Sequence, residues 1–229
     1  LDAAGVLMIG HAHMGGFGSI EGVAAAKAEI IAGLRPEGTA ILNADDARAA
    51  AMAELAPAHV LTFSSQGRVA DLRAENVVLD ATARAAFDLH LPGLDEPRHV
   101  QLAVAGVHNV ANALAAAGLA VAAGIAPGLI AERLGSVSIE SPHRMDVSEL
   151  GGDLLLIDDS YNANIDSMTA ALAVLPALAG DRRRVVVISE MLELGESSAA
   201  DHARTGELAA QAGAAMLIGI GSTQEALEA

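Results

Sequence analysis

Residues 154–175 constrain the fold of this chain more than any other stretch. An apolar run, LLLI, stops at two aspartates, crosses a polar turn and resumes with apolar residues at helical spacing. This order predicts a buried strand, a loop and a helix. Asn164 is placed to cap that helix, and Asp166 adds negative charge at the positive end of the helix dipole.

The polar turn after this strand is a candidate site. In parallel α/β sheets, ligands bind beyond the carboxyl ends of the strands. Four residues of the turn occupy that position: Asp159, Ser160, Tyr161 and Asn162. The pattern alone is equally compatible with a nucleotide or substrate site and with a well-capped turn.

Charge and composition limit the number of domains, the kinds of binding partner and the kinds of metal site that this chain can have. The chain has 229 residues, a hydrophobic content of 52% and a formal net charge of −16. The length leaves room for one large domain or two ordinary ones, and the hydrophobic content is ample for a packed core. The net charge argues against a nucleic-acid partner, which requires clusters of Lys and Arg. The one basic run, RRR at residues 182–184, is interpreted as a solvated loop. The absence of cysteine excludes disulfides and thiolate metal sites, in keeping with a cytoplasmic location.

One run, residues 113–131, is long enough to cross a membrane, but it is mainly Ala and Gly and is broken by Pro127 and Gly128. We predict two helices there and no membrane insertion. Nothing at the N-terminus resembles a signal peptide. Leu1 begins inside what looks like a strand, so we expect the sequence to be a fragment.

The apolar face of the first predicted helix includes a lysine, Lys27, among these aliphatic residues: Ile20, Val23, Ala24, Ile31 and Leu34. Burial favours the neutral amine, which can act as a nucleophile or take up carbon dioxide. The resulting carbamate is an anionic oxygen ligand for a metal. The alternative is a lysine whose stem packs on the helix while its ammonium group reaches water.

Two histidines, His11 and His13, lie in the glycine-rich turn that precedes this helix. On an extended segment both would point to the same side. Without a cysteine or a third histidine nearby, a closed structural zinc site is unfavourable. A single histidine that meets magnesium or a carboxylate is the functional interpretation, and a plain loop histidine is the alternative.

A second glycine-containing turn opens a helix predicted at residues 109–123. Gly106 permits close approach of a ligand to the backbone, and Asn109 and Asn112 are neighbours on one helical face. Carboxamides donate and accept hydrogen bonds at once, as an adenine edge requires. Ordinary helix capping is the alternative.

The remaining pattern predicts an α/β fold in two domains. Residues 1–141 alternate strands and helices and include an antiparallel or mixed edge at residues 77–104. From residue 142 the alternation restarts as a partial, doubly wound, Rossmann-like unit that extends to residue 229. We predict strands at residues 6–9, 39–43, 60–63, 144–150, 154–157, 185–188 and 216–220, and further helices at residues 47–55, 127–134 and 198–212.

Six segments, taken in order, resemble the Mur ligases over nearly the entire chain. They are IGHAHMGGFGSIEGVAAAKAEI, ILNADD, GVHNVANALAA, PHRMDV, DDSYNANIDSM and MLELGE. Each is weak alone, but their order and spacing are specific. DDSYNAN together with MLELG favours the branch that adds D-alanyl-D-alanine to UDP-muramoyl-tripeptide over tripeptide-forming relatives and folylpolyglutamate synthetase.

The resemblance implies a central ATPase domain, residues 1–141, followed by a C-terminal Rossmann-like domain, residues 142–229. It implies a cytoplasmic, ATP-dependent amide ligase that phosphorylates the carboxylate of a UDP-muramoyl-peptide, after which the amine of D-alanyl-D-alanine attacks the acyl phosphate. Mg²⁺ would neutralise charge on the transferring phosphoryl group. His13 matches the family's metal-binding histidine, and Lys27 matches its carbamoylated lysine.

The resemblance also assigns nucleotide contacts. Asn109 and Asn112 match the adenine-contacting pair, with His108 beside them. Arg144 matches an arginine that reaches ATP, and Asp159 matches the aspartate that holds the ribose. Three further residues match the loop that faces the reaction centre, without individual roles: Ser160, Tyr161 and Asn162.

Several positions depart from the family pattern. His11 and Ile165 replace prolines, and Ser189-Glu190 replaces Gly-Asp. No G-x-x-x-x-G-K-[ST] sequence is present to cradle the ATP phosphates. We therefore expect this polypeptide to be inactive alone. A non-catalytic nucleotide-binding module without a phosphate loop is the alternative from another functional class.

Overall fold

A computed structural model of the chain describes residues 1–10, 17–137 and 141–221. These residues form two compact units. The first comprises residues 1–9, 20–80 and 84–137, and the second comprises residues 10, 17–19, 81–83 and 141–221.

The first unit is built on one mixed sheet whose strands lie in chain order. They are β1 (Ala3–Val6), β2 (Thr39–Asn43), β3 (His59–Ser64), β4 (Leu72–Leu79), β5 (Arg84–His90) and β6 (Arg98–Ala105). Strands β1 to β4 pair in parallel, and β4, β5 and β6 pair antiparallel. The predicted mixed edge is therefore present.

The helices of this unit are α1 (Ile20–Ala32), α2 (Ala47–Ala51), α3 (His108–Ala122) and α4 (Pro127–Leu134). The helix predicted at residues 47–55 ends early, because Met52–Leu55 tightens into a 3₁₀ turn. The run at residues 113–131 divides between α3 and α4, as predicted. No helix in the described ranges is long and apolar enough to span a membrane.

The core of the first unit lies between α3 and the sheet. Val110 and Leu114 of α3 are fully buried with Phe63, Phe87 and Leu89 of the sheet. A Cβ atom at Gly118 would lie 2.8 Å from the Ile41 side chain. The helix can therefore approach β2 closely only because this position is a glycine.

The second unit contains a hairpin, β7 (Asp146–Gly151) and β8 (Leu154–Asp158), and a parallel pair, β9 (Val185–Ser189) and β10 (Met216–Ile220). Helices α5 (Ile165–Ala179) and α6 (Ser198–Gln211) pack on β9 around Leu172, Val186 and Ile188. Within the described residues the two strand pairs form separate sheets, and a cavity of about 840 Å³ is lined by residues of both β8 and β9.

Three local predictions need correction. The strand expected from residue 144 begins at Asp146, because His143 and Met145 have φ angles of 62° and 47° and interrupt the extended backbone. The strand expected at residues 6–9 is Ala3–Val6. The basic run is only partly solvated: Arg182 pairs with Asp153 at 3.0 Å, and Arg184 donates to the Ala212 carbonyl at 3.0 Å.

Candidate functional site

Lys27 is held at the carboxyl end of β1. It lies on the same helix as Val23 and Ile31, which are buried, and it is half-buried itself. Its Nζ donates a hydrogen bond of 2.8 Å to the Met8 carbonyl. The amine is therefore neither sealed in the core nor free in bulk water, and its partner is a backbone carbonyl and not a carboxylate.

Two residues of the ILNADD segment fix the backbone that receives this amine. Asn43, only 8% exposed, donates through Nδ2 to the Leu7 carbonyl at 2.8 Å. Asp46 accepts from the Ile9 amide at 2.6 Å and caps α2 with its other oxygen. Neither side chain had a predicted role, although Asn43 ends β2 and Asp46 follows that strand closely, where ligands bind in parallel sheets.

Of the two predicted metal ligands, His13 and Lys27, the structure describes only Lys27. His13 and His11 lie outside the described residues. Within the described ranges, no group of three or more His, Cys, Asp or Glu side chains could hold a metal ion. Lys27 still fits the role proposed for it, because a carbamate supplies the oxygen that Mg²⁺ prefers and the amine has no carboxylate partner in the described part of the chain.

The predicted adenine pair is preassembled on α3. Asn112 donates through Nδ2 to Oδ1 of Asn109 at 2.9 Å, and Asn109 donates to the Ala105 carbonyl at 2.8 Å. Neither carboxamide caps the helix, since its N-cap is Val107, which makes no side-chain capping bond. Asn112 is exposed. The ordinary-capping alternative therefore fails, and a carboxamide edge is presented to solvent.

His108 is fixed beside this pair by Gly106. Gly106 has a φ of 106°, and a Cβ atom there would lie 2.5 Å from the His108 ring. The glycine therefore permits both the left-handed backbone and the ring packed over it. Gly106 therefore allows His108 to pack over the backbone, in addition to the close ligand approach expected from the sequence.

The second unit brings together three of its predicted site residues. The Arg144 guanidinium lies 4.1 Å from the centre of the Tyr161 ring. Asp159 accepts from the Met145 amide at 3.0 Å through Oδ1. The Tyr161 amide donates to the His143 carbonyl at 3.0 Å. The PHRM segment and the DDSYN loop therefore form one cluster.

The other loop residues make local contacts. Ser160 donates its hydroxyl to Asp158 at 2.7 Å, and Asn162 accepts from the Ala163 amide at 2.9 Å. Asn164 caps α5 in a reciprocal capping box with Ser167, as predicted for the start of this helix. These bonds shape the turn, while Tyr161 is 62% exposed and open to a ligand.

Asp158, in the second unit, is a carboxyl whose pKa is markedly lowered. Hydrogen bonds from the His143 side chain, at 2.7 Å, and then from Ser160 lower the pKa of Asp158 to about 2. The carboxylate is therefore ionised at all but strongly acidic pH, and it accepts bonds from both sides of the cluster.

We expect this carboxyl to make folding pH-dependent at the acid end. Its folded pKa, about 2, lies below its ordinary value of 3.8. Its stabilising contribution is therefore complete above pH 3.8 and is lost as pH falls towards 2. Acid unfolding of Asp158→Asn, followed by circular dichroism, should show a shallower decline than wild type over that interval. An identical decline would contradict the assignment.

A buried histidine supports the MLELGE segment. His202 of α6 is 6% exposed, and its Nε2 accepts from the Met191 amide at 2.9 Å. Nδ1 lies 2.7 Å from the Ser198 carbonyl, which requires a proton on Nδ1. The ring is thus a neutral connector between α6 and the loop, a role that sequence reasoning missed.

Comparison with known proteins now identifies the family. The Mur ligase middle domain matches residues 1–120, and the Mur ligase, glutamate ligase domain matches residues 143–229. The chain belongs to the Mur ligase family. Mur ligase crystal structures share its fold: the chain aligns to MurF from Acinetobacter baumannii with a TM-score of 0.87 and 34% identity, covering 99% of this chain and 48% of that one. The α/β fold prediction is confirmed.

Curated Mur ligases are also similar in sequence. UDP-N-acetylmuramoyl-tripeptide--D-alanyl-D-alanine ligase from Mycobacterium tuberculosis H37Rv is 41% identical over 95% of this chain and 43% of its own length. The Escherichia coli K12 protein of the same name is 38% identical over 99% of this chain and 49% of its own. The chain spans about half the length of these relatives. The MurF ligase of Thermotoga maritima, 23% identical with a TM-score of 0.79, was solved in complex with ADP.

Proposed function

We propose that this chain serves an ATP-dependent amide ligase that adds D-alanyl-D-alanine to UDP-N-acetylmuramoyl-tripeptide through an acyl phosphate. The observation that carries the proposal is 41% identity, over 95% of the chain, to a ligase named for that reaction. We place the reaction in the cytoplasm, where ATP is available. We assign residues 1–141 to the central ATP-binding domain and residues 142–229 to the C-terminal domain.

Nucleotide contacts are proposed in both units. Asn109 and Asn112 would bind the adenine edge with His108 beside them, because the paired carboxamides can donate and accept together. Arg144 would meet the phosphates as a cation, and Asp159 would accept from the ribose hydroxyls. The preassembled Asn pair and the Arg144 cluster support these roles.

Metal binding is proposed for Lys27, as a carbamate, and His13. When bound, Mg²⁺ would supply charge neutralisation for phosphoryl transfer. The chain's own contribution is to hold the Lys27 nitrogen against the Met8 carbonyl, on backbone fixed by Asn43 and Asp46. Three loop residues would face the muramoyl-peptide carboxylate and the incoming amine: Ser160, Tyr161 and Asn162.

The proposal is tested by assaying the intact protein with ATP and UDP-N-acetylmuramoyl-tripeptide and measuring ADP release. D-alanyl-D-alanine should support turnover, whereas glutamate and diaminopimelate should not. Turnover with either amino acid would favour another ligase of the family. Nucleotide binding without ADP release for any acceptor would favour the non-catalytic module.

Asn112→Asp should weaken ADP binding by about 3- to 10-fold, because the carboxylate keeps the shape but loses the donor that one adenine hydrogen bond requires. Isothermal titration with ADP and with inosine diphosphate, whose ring N1 carries a hydrogen and cannot accept a bond as adenine N1 does, checks this. The variant should reduce the preference of the wild-type protein for ADP. Equal losses for both nucleotides would contradict an adenine contact.

A further inference from the structure

The two residues on either side of Arg144 have left-handed backbone. His143 has a φ of 62° and Met145 a φ of 47°. This conformation is rare for residues other than glycine and persists only where surrounding contacts enforce it. The position of the Arg144 guanidinium therefore depends on what holds its two neighbours.

Three hydrogen bonds hold them, and all three lead to the loop that follows β8. The His143 carbonyl accepts from the Tyr161 amide, and the Met145 amide donates to Asp159, each at 3.0 Å. The third bond is made by side chains: His143 Nδ1 lies 2.7 Å from Asp158 Oδ2. The first bond joins two backbone groups, and the second uses Asp159, the proposed ribose ligand. Only the third bond, between two side chains, has no proposed role so far.

Asp158 is suited to anchor this third bond. One carboxylate oxygen accepts from His143, while the other accepts from the Ser160 amide at 3.1 Å and from its hydroxyl at 2.7 Å. The carboxylate is thus fixed on its own loop before it meets the imidazole. Movement of His143 away from it would carry Arg144 off the Tyr161 ring, from which it is now 4.1 Å distant.

We propose that His143 and Asp158 are positioning residues that hold the Arg144 guanidinium over Tyr161 for contact with the nucleotide. The inference rests on the proposed nucleotide role of Arg144. The His143 side chain is 54% exposed and that of Asp158 is 29% exposed, so solvent partly screens the pair and its contribution to the stability of the fold is modest. Its effect is to restrict where a neighbouring cation can lie, which lowers the ordering cost of nucleotide binding.

The test is a double-mutant cycle on ADP affinity, measured by isothermal titration in the intact protein. Arg144→Ala should weaken binding about 10-fold or more, as the loss of a charge-assisted contact. His143→Ala should weaken it by about 3- to 10-fold without a comparable shift in melting temperature. In the Arg144→Ala background, His143→Ala should have no further effect, because its influence passes through the arginine.

Two variants serve as controls. His143→Asn should retain most of the affinity, since asparagine tolerates left-handed backbone and offers a side-chain N–H to Asp158. His99→Ala removes a similar exposed pair, His99 with Asp88 at 3.2 Å, in the first unit and should leave affinity unchanged.

The outcomes separate the inference from the function on which it rests. If Arg144→Ala leaves ADP affinity intact, the proposed nucleotide role of Arg144 fails. If Arg144→Ala weakens binding but His143→Ala does not, the positioning inference alone is wrong. Additive losses in the cycle would mean that His143 contacts the nucleotide directly, and this would also overturn the inference.

Discussion

Lys27→Ala should reduce ligation by the intact protein about 1,000-fold or more, because the metal would lose a charged oxygen ligand beside the transferring phosphoryl group. ADP release in the presence of D-alanyl-D-alanine measures this loss. Lys27→Arg should be equally inactive, since a guanidinium keeps the positive charge but is a poor nucleophile towards carbon dioxide. Substantial activity in Lys27→Arg would show that the residue acts as a cation.

The chemistry of this position can be observed by comparing wild type with the two variants, because Lys27 is the only lysine of these 229 residues and any other lysine of the intact protein is common to all three. ¹³C NMR in ¹³C-bicarbonate should show a lysine carbamate in wild type that disappears in both variants. Arg35→Ala is the matched control, because it removes an exposed cation that pairs with Asp2 at 2.7 Å. It should leave both turnover and the carbamate signal unchanged. No carbamate signal in active wild-type protein would contradict the assignment.

Leu89→Ala should destabilise the first unit by about 2–5 kcal/mol, the cost of a cavity at a fully buried leucine. Leu89 has no exposed surface and lies in the core between the sheet and α3. Urea unfolding followed by circular dichroism measures the loss. Fluorescence of Tyr161, the only tyrosine of a chain without tryptophan, reports on the second unit separately and should shift less.

Leu79→Ala is the matched control for this core prediction. Leu79 belongs to β4, which pairs with β5, and is 50% exposed, so the same truncation should change stability by no more than about 0.5 kcal/mol. Comparable losses for Leu79 and Leu89 would mean that burial in the described core does not govern the stability of this unit.

Local patterns predicted the elements well where side-chain chemistry sets the boundary. Asn164 as an N-cap and the proline at the start of α4 made the starts of those helices predictable from the sequence. Periodicity alone could not foresee the interrupted start of β7. That boundary depends on hydrogen bonds from a loop some 15 residues further along the chain to His143 and Met145.

For the candidate sites too, some features could be predicted from the sequence and others depend on the tertiary structure. The residue types and spacing were enough to single out Lys27 on an apolar helix face and the Asn109 and Asn112 pair, because residues three and four apart share a helical face. Folding then decided which atoms those side chains meet. Only folding brings the Met8 carbonyl to the amine and bonds Asn43 and Asp46 to the residues on either side of Met8. Only the loop after β8 positions Asp158 against His143, since neither set of contacts is local in sequence.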